Sequence, residues 1–172
     1  MKTIYRSLAL ALFAGLLLGN AASQTGGGCG APWIPSSGGQ LVGSPAPNFT
    51  LPDLAGNQVE LENLTNKKPT LLVFWATWCP SCVEEIPTLN DWKKRYPEME
   101  ILGVNVEEPL ERVQKFSEKV GFQYPVVLDE DGEVAQQYDL VGVPATVLIA
   151  KGGRIIYYGY TLPQNIEPLI QT

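Results

Sequence analysis

Residues 75–87 read Trp-Ala-Thr-Trp-Cys-Pro-Ser-Cys-Val-Glu-Glu-Ile-Pro, and the placement of Cys79 and Cys82 decides how the rest of the chain is read. An apolar run, Thr70-Leu71-Leu72-Val73-Phe74-Trp75, leads into them and reads as a strand buried on both faces. Behind them, residues 83–96 place Ile86, Leu89, Trp92 and Tyr96 at three- and four-residue steps, the apolar stripe of a helix. A strand that enters a helix through Cys-x-x-Cys sets the first sulfur at the helix N-terminus. There the unpaired N–H groups and the positive end of the dipole favour a thiolate. The second sulfur lies one turn on, close enough to close a small ring. The spacing implies a reversible two-electron switch.

Other uses of two close cysteines fit less well. Structural zinc takes about four Cys or His ligands, and the chain has no His and only one further cysteine, Cys29. Attachment of a c-type haem needs His directly after the second cysteine, where Val83 stands. A purely structural bridge across so short a ring constrains little.

The 172 residues suit one domain with extras. Residues 1–22 carry Lys2 and Arg6, an apolar stretch from Leu8 to Leu18 and small residues from Gly19, the pattern of a cleaved secretory signal or an uncleaved anchor. Export makes disulfides chemically available. Residues 23–43 are rich in Gly, Ser and Pro and read as a flexible tether. Cys29 within it is a free thiol or, if cleavage exposes it, a lipid attachment point. Asn48-Phe-Thr50 and Asn63-Leu-Thr65 match the glycosylation triplet by spacing alone and are assigned no role. Loss of Lys2 and Arg6 takes the basic residues from 12 to 10 against 18 acidic ones, a net charge of about −8. Such a domain does not bind nucleic acid by neutralising phosphates.

A single domain over 44–172 follows. Extended pieces at 48–51 and 58–61 flank a turn at Ala55-Gly56-Asn57 and predict an N-terminal β-hairpin. A strand at 70–76, the helix at 83–96 kinked by Pro87, a strand at 100–106 and a helix at 110–120 stopped by Gly121 come next. A strand at 125–128 and a short helix at 134–138 precede a hairpin, 146–150 and 154–160 around Lys151-Gly152-Gly153, and a helix over 163–170. The order predicts an α/β fold, a mixed central sheet flanked by helices.

Trp75-Ala-Thr-Trp78-Cys79-Pro-Ser-Cys82, the kinking Pro87 and Gly142-Val143-Pro144-Ala145-Thr146 together resemble the thioredoxin-like fold. Glu85, the N-terminal hairpin and the insertion after the second sheet strand are similar to its exported TlpA/ResA-like and CcmG-like thiol-disulfide oxidoreductases. The resemblance covers about residues 44–172. It implies that Pro144 is cis and beside the disulfide, with the Val143 backbone free to pair with a substrate strand. It further implies that Glu85 takes and returns the proton of Cys82, where the residue alone also reads as an ordinary helical carboxylate. Trp78, Pro80 and Ser81 complete the expected substrate contacts. Two departures stand out. Val73 occupies the place of the buried Asp of cytoplasmic thioredoxins, and Pro-Ser replaces Gly-Pro between the cysteines.

The implied reaction is thiol–disulfide exchange. Cys79, expected to be the more exposed sulfur, attacks a client disulfide; Cys82 resolves the mixed disulfide; Trp75 and Trp78 pack under and beside the pair. The exchange needs no metal and no organic cofactor. Its partners are a disulfide-containing client, for example an apocytochrome c or a copper-site assembly protein, and an exported or membrane-embedded thiol reductant. The setting is extracytoplasmic, periplasmic or cell-envelope, with a membrane tether if the N-terminus is retained. Reduction is the favoured direction and client oxidation its rival. A peroxidase is disfavoured because Leu72 and Ala76 stand where the P-x-x-x-[ST]-x-x-C pattern needs Pro and Ser or Thr before Cys79. A copper-binding role is disfavoured by the absence of His.

Overall fold

A computed structural model describes residues 41–171. The leader at 1–22, most of the 23–43 tether and Cys29 lie outside the described residues. Chain order is β1 (Thr50–Pro52), β2 (Gln58–Glu60), α1 (Leu61–Thr65), β3 (Thr70–Trp75), α2 (Pro80–Arg95), β4 (Glu100–Val106), α3 (Leu110–Val120), β5 (Val126–Asp129), α4 (Glu133–Gln137), β6 (Ala145–Ile149), β7 (Ile155–Gly159) and α5 (Glu167–Ile170). Five strands form one sheet in the order β5-β4-β3-β6-β7, and β1-β2 is a separate antiparallel pair. Within the sheet β3, β4 and β5 are parallel, β6 is antiparallel to β3, and β7 is antiparallel to β6.

The two-residue period of the central strands sorts their side chains into two cores. Leu72, Phe74, Leu102, Val104, Val147 and Ile149 face one side, where Phe49, Leu61, Val134 and Tyr138 cover them. Leu71, Val73, Ile101 and Leu148 face the other, against Leu89 and Tyr96 from α2 and Ile166 and Ile170 from the C-terminus. Because β3 is central it needs apolar residues on both faces, and all six of its residues are buried.

The chain on either side of β1 is tied to both edges of the sheet. Leu41 packs on the first core, the Gly43 amide donates to the Ile155 carbonyl at 2.8 Å, and Arg154 donates to the Gly43 carbonyl. Pro45 bridges Arg154 and Asp53 bridges Val127. Helix α3 ends on Gly121, whose φ of 67° is the left-handed conformation expected of a terminating glycine.

Three elements differ from expectation. Helix α1 is new: five residues make less than two turns, too few to show a helical period. Helix α2 begins at Pro80 rather than 83, because proline suits a first helical position whose N–H has no partner. The last helix is only Glu167–Ile170, not 163–170. Pro168 has no N–H and is tolerated only in a first turn, so it sets the start.

Leu72→Ala should open a cavity in the central strand and cost about 2–5 kcal/mol, read as a lower urea midpoint. An unchanged midpoint would mean that this core carries little of the stability.

Candidate active site

The junction between β3 and α2 makes the site. Cys79 is the N-cap of α2, with φ −96° and ψ 102°, and its sulfur accepts the Cys82 N–H at 3.2 Å. A side-chain acceptor at this position satisfies one of the helix's unpartnered amides. Cys79 and Cys82 are joined in a disulfide with Cα atoms 5.3 Å apart, and the Ser81 hydroxyl lies 3.5 Å from the Cys79 sulfur. The expected difference in exposure is slight, at 4% for Cys79 and 3% for Cys82. What distinguishes the sulfurs is the hydrogen bonding at Cys79.

Trp75 lies in the cluster that holds both cysteines, its ring 5.6 Å from Phe116 and 5.0 Å from Phe122. Gly103, paired in register with Val73, makes room for it: a Cβ there would sit 3.2 Å from both Trp75 Nε1 and Tyr124. Trp78 is not buried with the pair. It is 67% exposed, and it stands with Val141 and Leu110 among the exposed large apolar residues. The Val143–Pro144 peptide is cis, and Val143 packs against the disulfide cluster. A groove of about 300 Å³ runs from Trp78 and Val143 to Ala135 and Leu140. Pro80 is exposed at the helix start.

Glu85 is half-buried on α2, unlike the exposed Glu84. Burial raises its carboxyl above the ordinary value, opposed by a hydrogen bond from the Leu162 backbone. Its Oε2 is buried without a partner. Tyr124 is pushed up as well, first by burial and then by the Glu85 charge. Among the described residues no hydrogen bond joins Glu85 to either sulfur.

Glu108 was not foreseen. Its side chain is buried at 2% exposure, just past the end of β4. The Thr77 amide and hydroxyl each donate to it at 2.6 Å, and the Asn105 amide donates at 2.8 Å. Arg112 approaches at 3.6 Å. Burial alone would raise this carboxyl, but the hydrogen bonds from Thr77 and Asn105 and the Arg112 charge outweigh it and hold it below the ordinary value. Glu108 therefore clamps the loop that carries Trp78 and Cys79. In sequence Glu107-Glu108-Pro109 looks like a solvated helix start, and only the Asn at the end of β4 hints at a polar partner. Among the described residues no group of three or more His, Cys, Asp or Glu is placed to hold a metal ion.

Residues 42–158 match the AhpC/TSA family. The chain is similar to the thiol-disulfide oxidoreductase ResA of Geobacillus kaustophilus, with 39% identity over 130 residues, 73% of this chain and 74% of the relative. It is also similar to the solved thioredoxin domain of a thiol-disulfide oxidoreductase from Bacteroides vulgatus, with 29% identity and a TM-score of 0.68, covering 75% of this chain and 97% of that one. A secreted Mycobacterium tuberculosis disulfide oxidoreductase, homologous to E. coli DsbE, shares 25% identity at a TM-score of 0.61 over 72% of this chain and 92% of its own.

Glu108→Ala should strand the buried Thr77 and Asn105 donors, cost about 3 kcal/mol and speed hydrogen exchange at the Thr77 amide. Glu108→Gln, which keeps one acceptor oxygen, should lose less. Equal urea midpoints for Glu108→Ala and the parent would show that the clamp contributes nothing.

Proposed function

The chain belongs to the thioredoxin-like AhpC/TSA family and is a thiol-disulfide oxidoreductase, and from that premise we propose that it reduces disulfides of exported client proteins outside the cytoplasm. The observation that carries the reading is the Cys79 sulfur seated at the α2 N-terminus on the Cys82 amide, beside an exposed apolar surface. In the reduced protein the Cys79 thiolate attacks one client sulfur. A Cys79–client bond forms, the client S–S bond breaks, and the second client sulfur leaves as a thiolate that takes a proton. Cys82 then gives its proton to Glu85 and attacks Cys79. The client departs fully reduced, the Cys79–Cys82 disulfide forms, and two electrons have passed to the client. A thiol reductant, exported or held in the membrane, restores the dithiol.

The direction is supported by electrostatics. The Cys82 amide and the helix terminus favour the thiolate, whereas the carboxyls of Glu85 and Glu108 disfavour it by like-charge repulsion when ionised. A less stabilised thiolate leaves the disulfide harder to reduce and the dithiol more reducing. Val143 and the cis Pro144, with Trp78, Pro80 and Ser81, receive the client strand. The secreted relative supports an extracytoplasmic setting. Clients of the apocytochrome c or copper-site kind suit the resemblance to the exported branch. Peroxide chemistry is not favoured: Ala76 supplies no hydroxyl before Cys79, and the Thr77 hydroxyl is committed to Glu108.

Reduced protein should cleave insulin disulfides under dithiothreitol-coupled turnover, and Cys82→Ser should trap clients as mixed disulfides on Cys79. Absence of both would overturn the reading. Glu85 supplies a second check. Its raised pKa means that the folded chain holds this proton more tightly than the unfolded chain. Stability is therefore lost as pH climbs from the ordinary value of 4.5 through the folded one. Glu85→Gln should raise Tm at pH values above that window, with the gap closing below it, and should slow resolution by about 100-fold. A variant with parental rates would end the proton-transfer role.

A further inference from the structure

We propose that the groove beside the disulfide reads client sequence: it seats an apolar side chain next to the client's cysteine and pairs a neighbouring lysine or arginine with the Glu107 carboxylate. The proposal rests on the exchange reading above and names the chemistry of the segment that docks. The groove lining includes the apolar Trp78, Val143, Leu140 and Ala135, and Val143 also packs against the disulfide cluster. Glu107 lines the same space.

Three observations single out Glu107. Its φ is 55°, a left-handed conformation that non-glycine residues adopt sparingly. Its side chain lies across Gly132, where an added Cβ would come within 2.7 Å of Oε1. Gly132 is itself left-handed at 72°, so two turned backbones and a missing side chain together lay this carboxylate along the groove wall. Third, its backbone N–H is spent on the Asp129 carbonyl at 2.9 Å, but the carboxylate has no hydrogen-bond or ion-pair partner among the described residues. Arg112, five residues on, is drawn to Glu108 instead.

The stretch that supplies most of the groove lining carries charge of one sign. From residue 120 to residue 150 the chain carries Asp129, Glu130, Asp131, Glu133 and Asp139 and no lysine or arginine. Asp129 is spent on the Val134 and Ala135 amides of α4, and Glu130 accepts the Leu110 amide. Glu107 is the carboxylate left facing the groove. An anionic rim over an apolar floor is complementary to an extended segment that presents an apolar and then a basic side chain, and complementarity of this kind acts on encounter and choice of partner.

The test uses the reduced parent chain and three peptides closed by a Cys-Ala-Ala-Cys disulfide. Each has leucine before the first cysteine, preceded by lysine, norleucine or glutamate. The expected order of kcat/KM is lysine over norleucine over glutamate, with lysine favoured about fivefold over norleucine at low salt and the preference shrinking at high salt. Glu107→Gln should bring the lysine-to-norleucine ratio close to one, and Glu107→Lys should reverse the order in favour of the glutamate peptide. That reversal is a result that partial unfolding does not produce. Hydroxyethyl disulfide, small and uncharged, separates the two layers. If the parent reduces it but handles all three peptides alike, or if the charge swap leaves the order intact, this proposal falls and the exchange reading stands. If the parent does not reduce it, both fall.

Discussion

The hydrogen bond from the Cys82 amide to the Cys79 sulfur joins the fold to the chemistry. It is a helix cap in structural terms, satisfying an amide that α2 cannot. In chemical terms it is a donor aimed at the sulfur that the proposed mechanism makes the nucleophile. One contact serves both ends because β3 delivers the chain to the helix start without an intervening loop long enough to turn away. The buried β3 strand, the proline at the first helical position and the packing of Ile86 and Leu89 all hold that junction in place.

Around this contact the protein sets opposing electrostatic influences. The helix terminus favours a thiolate, and in the proposed mechanism two carboxyls with contrasting surroundings oppose it. Glu85 is half-buried and poorly satisfied, so burial dominates and its pKa rises. Glu108 is more deeply buried and yet fully hydrogen-bonded, so its partners win and its pKa falls. The contrast assigns different work to chemically identical groups. A carboxyl that holds its proton more tightly than usual suits the proposed proton exchange, while one that releases it more readily suits a structural clamp.

The additions to the thioredoxin-like core act at its margins. The segment ahead of β1 ties to Arg154 and the start of β7 through Pro45 and Gly43, and Asp53 just after β1 ties to Val127 of β5. Asp53 is held well for this task, since hydrogen bonds led by those from Asn57 keep its carboxyl below the usual range. The inserted α3 and β5 supply the edge strand, and the Asp129–Gly132 turn after it builds a groove wall. A short core thus gains the proposed client surface while the strand that leads into the cysteines stays in its central place.

Features that depend on near neighbours in the chain were legible from the residues. Cys-x-x-Cys after an apolar run located the switch. Apolar runs located β3 and β4, three-to-four-residue steps located α2 and α3, and glycine and proline marked several ends. Short elements escaped: α1 is too brief to show a period, and Pro168 overrode the pattern of the last helix. Tertiary structure alone decided the rest. Nothing local tells Glu108, buried under Thr77 some thirty residues earlier, from Glu107 beside it, which faces the groove over Gly132. Nor does local sequence show that Trp75 is covered while Trp78 stands in solvent. Periodicity reports which side of an element is apolar. Whether a polar residue finds a partner, and so which state its charge takes, depends on segments distant in the chain that only folding brings together.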